Sequence, residues 1–175
     1  MKVLIAYYSV SGTTATCAAL LARELETVSV SVADLEKESP DPADFDLVVL
    51  GAPIRMGKLG KPFTAYLHKY SNTLKTMDHG FFICALNEDS FEEKAAGLVG
   101  RSLSESAFAF EYFGGDLSVS KQRSFPARLA ARYLRSRITS NYDTNDLESD
   151  SSLPSIAEPV IAQYAQRVLK QLRNE

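Results

Sequence analysis

Apolar and polar positions fall into blocks that switch between two periods along the chain. Lys2–Tyr8 contains Val3-Leu4-Ile5-Ala6-Tyr7-Tyr8, apolar on both faces, which predicts a central parallel strand. Thr13–Glu26 has helical spacing, and Val28–Val32, interleaved with Ser29 and Ser31, predicts a second strand near a sheet edge. Ser39-Pro40-Asp41-Pro42 is a loop by its prolines. Asp46–Ala52 predicts the third strand, and Pro62 fits the first turn of a helix running to about Tyr70. Gly80–Leu86 predicts strand four, and Phe91–Glu105 a helix with weak points at Gly97 and Gly100. Ala107–Phe113, closed by Gly114-Gly115, predicts strand five, and Pro154–Leu172 the last helix. Strand and helix alternate, so an α/β fold is expected, with a parallel sheet covered on both faces in a single domain over residues 1–175.

Ligands of such sheets sit beyond the carboxyl ends of the strands. Three loops fall there: Ser9–Thr14, Pro53–Gly60 and Asn87–Ser90. The first joins strand to helix through Ser9-Val10-Ser11-Gly12-Thr13-Thr14. A helix start offers unpaired N–H groups and partial positive charge, and Gly12 lets the backbone approach a ligand. A lone N-cap needs one hydroxyl, whereas four lie within these six residues, so a phosphate is the expected occupant. No Gly-Lys-Ser/Thr follows, and the second and third glycines of the dinucleotide fingerprint are missing.

Ile5-Ala6-Tyr7-Tyr8-Ser9-Val10-Ser11-Gly12-Thr13-Thr14, followed by Ala18 and Leu21, resembles the FMN-phosphate signature of the flavodoxin family, with Ala6 smaller than usual. The resemblance implies a flavodoxin-like three-layer α/β/α sandwich with a five-stranded parallel sheet in the order 2-1-3-4-5. It also implies FMN as cofactor, its phosphate held by Ser9, Val10, Ser11, Gly12, Thr13 and Thr14.

Gly51-Ala52-Pro53-Ile54-Arg55-Met56-Gly57 resembles the corresponding loop of the menaquinone-dependent protoporphyrinogen oxidases, a flavodoxin-like subfamily. Ile54, Arg55 and Gly57 match its pattern, and Met56 replaces an aromatic. Ala52 to Gly57 would present backbone N–H groups to the ring carbonyls, and Ile54 and Met56 apolar surface to the ring. A guanidinium at Arg55 would favour a negatively charged, two-electron-reduced ring by charge pairing; a solvated surface arginine is the alternative. Ala85, Leu86 and Asn87 follow strand four, and the subfamily implies an Asn at the flavin edge. The chain has no Trp, so Phe91 and Tyr112 are the candidate stacking aromatics.

The chain of 175 residues is 45% hydrophobic and carries a net charge of −3, against a dedicated nucleic-acid binder. No apolar run approaches the roughly 18 residues of a membrane span, and no signal-peptide pattern opens the chain, so a cytoplasmic location is expected. Cys17 and Cys84 are expected as two buried, reduced thiols; without CxxC spacing, a redox pair is the minor reading. His68 and His79 read as structural, and no metal site is expected. The cofactor would carry the chemistry.

Residues 117–140 form an insertion with Lys121, Arg123, Arg128, Arg132, Arg135 and Arg137 and no acid, followed by Asp143, Asp146, Glu148 and Asp150. Phe125–Ile138 reads as an amphipathic helix with Arg128, Arg132 and Arg135 on one face. The subfamily carries a basic insertion at this place. The face would contact an anionic substrate or the inner membrane surface; cladding neutralised within the fold is the alternative. The leading expectation is an FMN-dependent oxidoreductase resembling the quinone-linked protoporphyrinogen dehydrogenases, acting on a small-molecule redox substrate or quinone. A non-enzymatic flavodoxin electron carrier serving a redox partner protein is the second. An NAD(P)H-dependent FMN quinone reductase is the third, with no visible nicotinamide motif.

Overall fold

The computed structural model describes residues 1–85, 91–115 and 155–173. The elements, in order, are β1 (Lys2–Tyr7), α1 (Thr13–Glu24), β2 (Ser29–Asp34), a 3-10 turn (Pro42–Asp44), β3 (Leu47–Pro53) and α2 (Lys61–Lys75). There follow β4 (Asp78–Cys84), α3 (Phe91–Val99), α4 (Arg101–Ser106), β5 (Phe110–Tyr112) and α5 (Glu158–Leu172). The strands are all parallel and pair in the expected order β2-β1-β3-β4-β5, with β2 at an edge.

Period two on the strands and period 3.6 on the helices build two separate cores. On β1, Leu4 and Ala6 face one side, Val3 and Ile5 the other. The first core receives Phe63, Tyr66, Leu67, Tyr70 and Leu74 of α2, an i, i+3, i+4, i+7, i+11 stripe, with Phe91, Ala95 and Val99 of α3 and Leu103 of α4. The second receives Cys17, Ala18 and Leu21 of α1 and Ile161, Tyr164, Ala165 and Val168 of α5.

Several element bounds differ from the sequence expectation. β4 begins at Asp78, not Gly80, and takes in His79. That ring is fully buried because Nδ1 lies 3.1 Å from the Met77 carbonyl oxygen and Nε2 2.9 Å from that of Leu103. α2 continues five residues past Tyr70, through a non-helical Tyr70 (φ −110°), because Leu74 still has core to cover. The helix expected over Phe91–Glu105 is two, broken at Gly100 (φ +96°). β5 is shorter than expected, although Phe108 N–H to His79 O and Phe113 N–H to Ile83 O continue the pairing at both ends. α5 starts at Glu158, since Ile156 first bridges Gly114, and Pro159 takes the N-terminal proline position. Leu86, Asn87, the insertion over 117–140 with Arg128, Arg132 and Arg135, the acidic stretch after it and Pro154 lie outside the described residues.

Candidate functional site

β1 and β3 are paired neighbours (Tyr7 opposite Gly51), as are β3 and β4 (Pro53 opposite Cys84). Their carboxyl ends therefore bring together the turn after β1, the loop after β3 and Ala85 after β4.

Gly12 caps α1 with φ +100°, a conformation that L side chains rarely adopt. Its N–H donates to the Ser9 Oγ at 3.1 Å, which sets the shape of the turn. The Ser11 and Thr13 hydroxyls lie 3.3 Å apart. Ser9, Thr13 and Thr14 are buried, Thr14 to 1% exposure, and the Thr14 Oγ1 has no hydrogen-bond partner among the described residues. An orphaned buried hydroxyl costs about 1–3 kcal/mol. It stands in the first turn of α1, where helix geometry leaves N–H groups without intrahelical acceptors and no acid is present. A phosphate fits this donor set: it would accept from the orphan and from the helix N–H groups and meet no like charge. Val10 is half-buried at the turn's shoulder.

Beyond β3, Ala52 is buried and Pro53 ends the strand. The Ile54 N–H donates to the Cys84 carbonyl at 2.9 Å, and Ile54 packs on the α2-side core. Arg55 and Lys58 exchange backbone hydrogen bonds, each 3.0 Å, around Met56 (φ +51°) and Gly57 (φ +72°). Two successive positive φ values are what a two-residue type I′ hairpin requires. The loop is thus a tight hairpin, and it separates the two apolar residues expected to share the ring. Ile54 turns inward, whereas Met56 is fully exposed at the tip. The Ile54 and Arg55 N–H groups are already used, which leaves those of Met56 and Gly57. The Arg55 side chain is half-buried and has no partner among the described residues.

The Tyr8 N–H donates to the Gly51 carbonyl at 2.9 Å, and its ring lies against Gly60, where a Cβ would stand 2.0 Å from ring Cε1. Tyr8 joins the turn to the hairpin loop, yet it is absent from the expected site residues; its place directly before the hydroxyl cluster is the signal for it. The Ala85 carbonyl accepts from the Tyr112 phenol at 2.7 Å, and the Ala85 N–H donates to Gly114. Phe91 is buried, packing 5.4 Å from Phe110 and 5.8 Å from Tyr112 between centroids, so it serves the core; Tyr112 is half-buried. Cys17 and Cys84, 67 residues apart, place their sulfurs 3.7 Å from each other, both buried. No group of three or more His, Cys, Asp or Glu able to hold a metal occurs among the described residues. A cleft of about 270 Å³ between α2 and the α3–α4 junction contains none of the turn or hairpin residues.

A flavodoxin domain model matches residues 4–138. Protoporphyrinogen IX dehydrogenase (quinone) of Escherichia coli K12 is 33% identical over 85 residues, 47% of this chain and 47% of that protein, so the chain spans about half the length of the curated relatives it matches. Among solved structures, the metal-soaked Flv1 flavodiiron core of Synechocystis superposes with a TM-score of 0.52 at 16% identity, over 77% of this chain and 36% of that one. A flavoprotein in complex with FMN from Lactobacillus acidophilus gives 0.48 at 18% identity, over 70% and 99%. At such identities the Flv1 likeness speaks to fold alone.

Proposed function

The chain belongs to the flavodoxin domain family, and on that premise we propose that it is an FMN-dependent oxidoreductase that oxidises a porphyrinogen-type substrate and passes the electrons to a quinone. The observation that carries the flavin assignment is the buried Thr14 Oγ1 without a partner, in a turn with four hydroxyls and no acid. Ser9 to Thr14 would hold the terminal phosphate. The loop from Ala52 to Gly57 would lie beside it, and the Tyr8 ring, packed against Gly60, would join the two. Bound FMN would supply the two-electron chemistry. The half-buried Arg55 guanidinium, with no carboxylate on it among the described residues, would stabilise negative charge on the reduced ring. The substrate class is supported by the match to the E. coli dehydrogenase. In sequence, Arg128, Arg132 and Arg135 supply cations for propionate groups or an anionic membrane surface. No helix among the described residues is long and apolar enough to cross a membrane.

Fluorescence titration of the apoprotein with FMN and FAD, followed by anaerobic protoporphyrinogen oxidation with a soluble quinone, tests the reading. Tighter FMN binding with turnover supports it. FMN binding without turnover leaves the electron carrier, which the net charge of −3 also suits. Replacing Arg128, Arg132 and Arg135 by Gln should leave FMN affinity unchanged. It should raise the KM for the porphyrinogen or reduce co-sedimentation with anionic vesicles, the latter effect shrinking as salt screens charge over about 8–10 Å.

A further inference from the structure

Cys17 and Cys84 come from elements far apart in the chain and meet beneath the candidate site. Cys17 lies in the second turn of α1, three residues after Thr14. Cys84 ends β4, and its carbonyl receives the Ile54 N–H that starts the Arg55 hairpin. Their sulfurs are 3.7 Å apart, the Cys84 thiol donating to Cys17. A disulfide needs about 2.05 Å, so a closure of about 1.7 Å by side-chain rotation is required. Both cysteines belong to the buried hydrophobic cluster that also holds Ala18, Val49, Phe82 and Phe113.

We propose that Cys17 and Cys84 form a reversible disulfide that ties the phosphate-turn helix to the strand end beneath the Arg55 loop. The oxidant is a peroxide. Cys84, the less buried residue of the two at 3% against 0% exposure, attacks one peroxide oxygen through its sulfur. The O–O bond breaks, one water leaves, and Cys84 becomes a sulfenic acid. The Cys17 sulfur then attacks the Cys84 sulfur, the S–O bond breaks, and the leaving hydroxide takes the Cys17 proton as a second water. The two sulfurs lose two electrons in all, and the peroxide gains them. A small dithiol reverses the step by thiol–disulfide exchange. The hydrogen bond from Cys84, together with burial, pushes the Cys17 thiol well above its ordinary range, so its attack on the sulfenic acid is the slow step.

The test treats folded protein, with and without FMN, with hydrogen peroxide, then quenches, denatures and labels with a maleimide. The expected result is loss of both labelling sites and of two hydrogens in intact mass, with both sites recovered by dithiothreitol. Peptide mapping should join Cys17 to Cys84. Cys17→Ser and Cys84→Ser should each keep a monomer mass that gains oxygen instead of losing hydrogen. Wild-type thiols that stay fully labelled, or that gain oxygen without cross-linking, overturn the proposal. So does a disulfide between chains. Wild type alone decides these outcomes, so poor folding of a serine variant does not obscure them. FMN should slow the cross-linking several-fold if the site lies over the pair; equal rates with a formed disulfide would leave the pair intact and count against the flavin placement.

Discussion

The turn after β1 and the hairpin after β3 sit side by side at the same end of the sheet and are built on opposite terms. The turn is uncharged and rich in hydroxyls, buried at Ser9, Thr13 and Thr14 and half-buried between them, with its shape fixed by the Gly12 N–H on Ser9. The hairpin is cationic, with an exposed tip and a non-glycine residue at φ +51°. An enclosed set of neutral donors suits a fixed dianion; a half-buried arginine without a carboxylate on it among the described residues suits a charge that comes and goes. Affinity should reside in the first and redox tuning in the second.

The harshest test of that division is Gly12→Ala. A Cβ there meets open space, so any effect comes from the backbone at φ +100°. With about 1–2 kcal/mol of left-handed strain and about 1.5–3 from disturbed bonds to charge, FMN affinity should fall on the order of 100-fold or more. Flavin fluorescence titration measures it, and an unchanged Kd would move the grip elsewhere. Thr14→Val should act in two directions. Removing the orphan hydroxyl should stabilise the apoprotein by about 1–3 kcal/mol, while FMN affinity falls about 10-fold or more through one lost charged hydrogen bond. Chemical denaturation of the apoprotein, set against the same titration, separates the two.

On the hairpin, Arg55→Gln should leave FMN affinity within about threefold but lower the two-electron flavin potential by about 20–40 mV, taking about 1–2 kcal/mol for the lost charge. Equilibration with a reference dye measures this; an unmoved potential places Arg55 in solvent. The smallest effect belongs to Met56→Asn. Asn tolerates the left-handed region, so relief of about 1 kcal/mol should raise Tm by about 2–4 °C without touching FMN binding.

The alternation of strand and helix and the hydroxyl-rich turn after β1 are legible in the sequence because both rest on local signals: an apolar run, a hydroxyl cluster, a glycine and a helical stripe; the strand order rests on the family resemblance and not on any local signal. What escapes it depends on partners distant in the chain. His79 reads as a residue preceding β4, since nothing local shows that Leu103 will supply a carbonyl to its ring. The stop expected at Tyr70 ignores Leu74, whose burial is decided by the sheet below. At the site, Ile54 and Met56 look equivalent on paper. The hairpin's hydrogen bonds between Arg55 and Lys58 put them on different sides. Without CxxC spacing, the meeting of Cys17 and Cys84 can be seen only once α1 lies across β4.

The two hydrophobic clusters share no residue, and the sheet stands between them like a bulkhead. Volume changes on one side have no direct route to side chains on the other, so substitutions in α2 and in α5 should add rather than interact. A lineage can therefore repack one side while the other stays still. The helix that follows the β1 turn belongs to one compartment, and Ile54 at the root of the Arg55 hairpin to the other. The turn and the hairpin can then change at separate rates within one small protein.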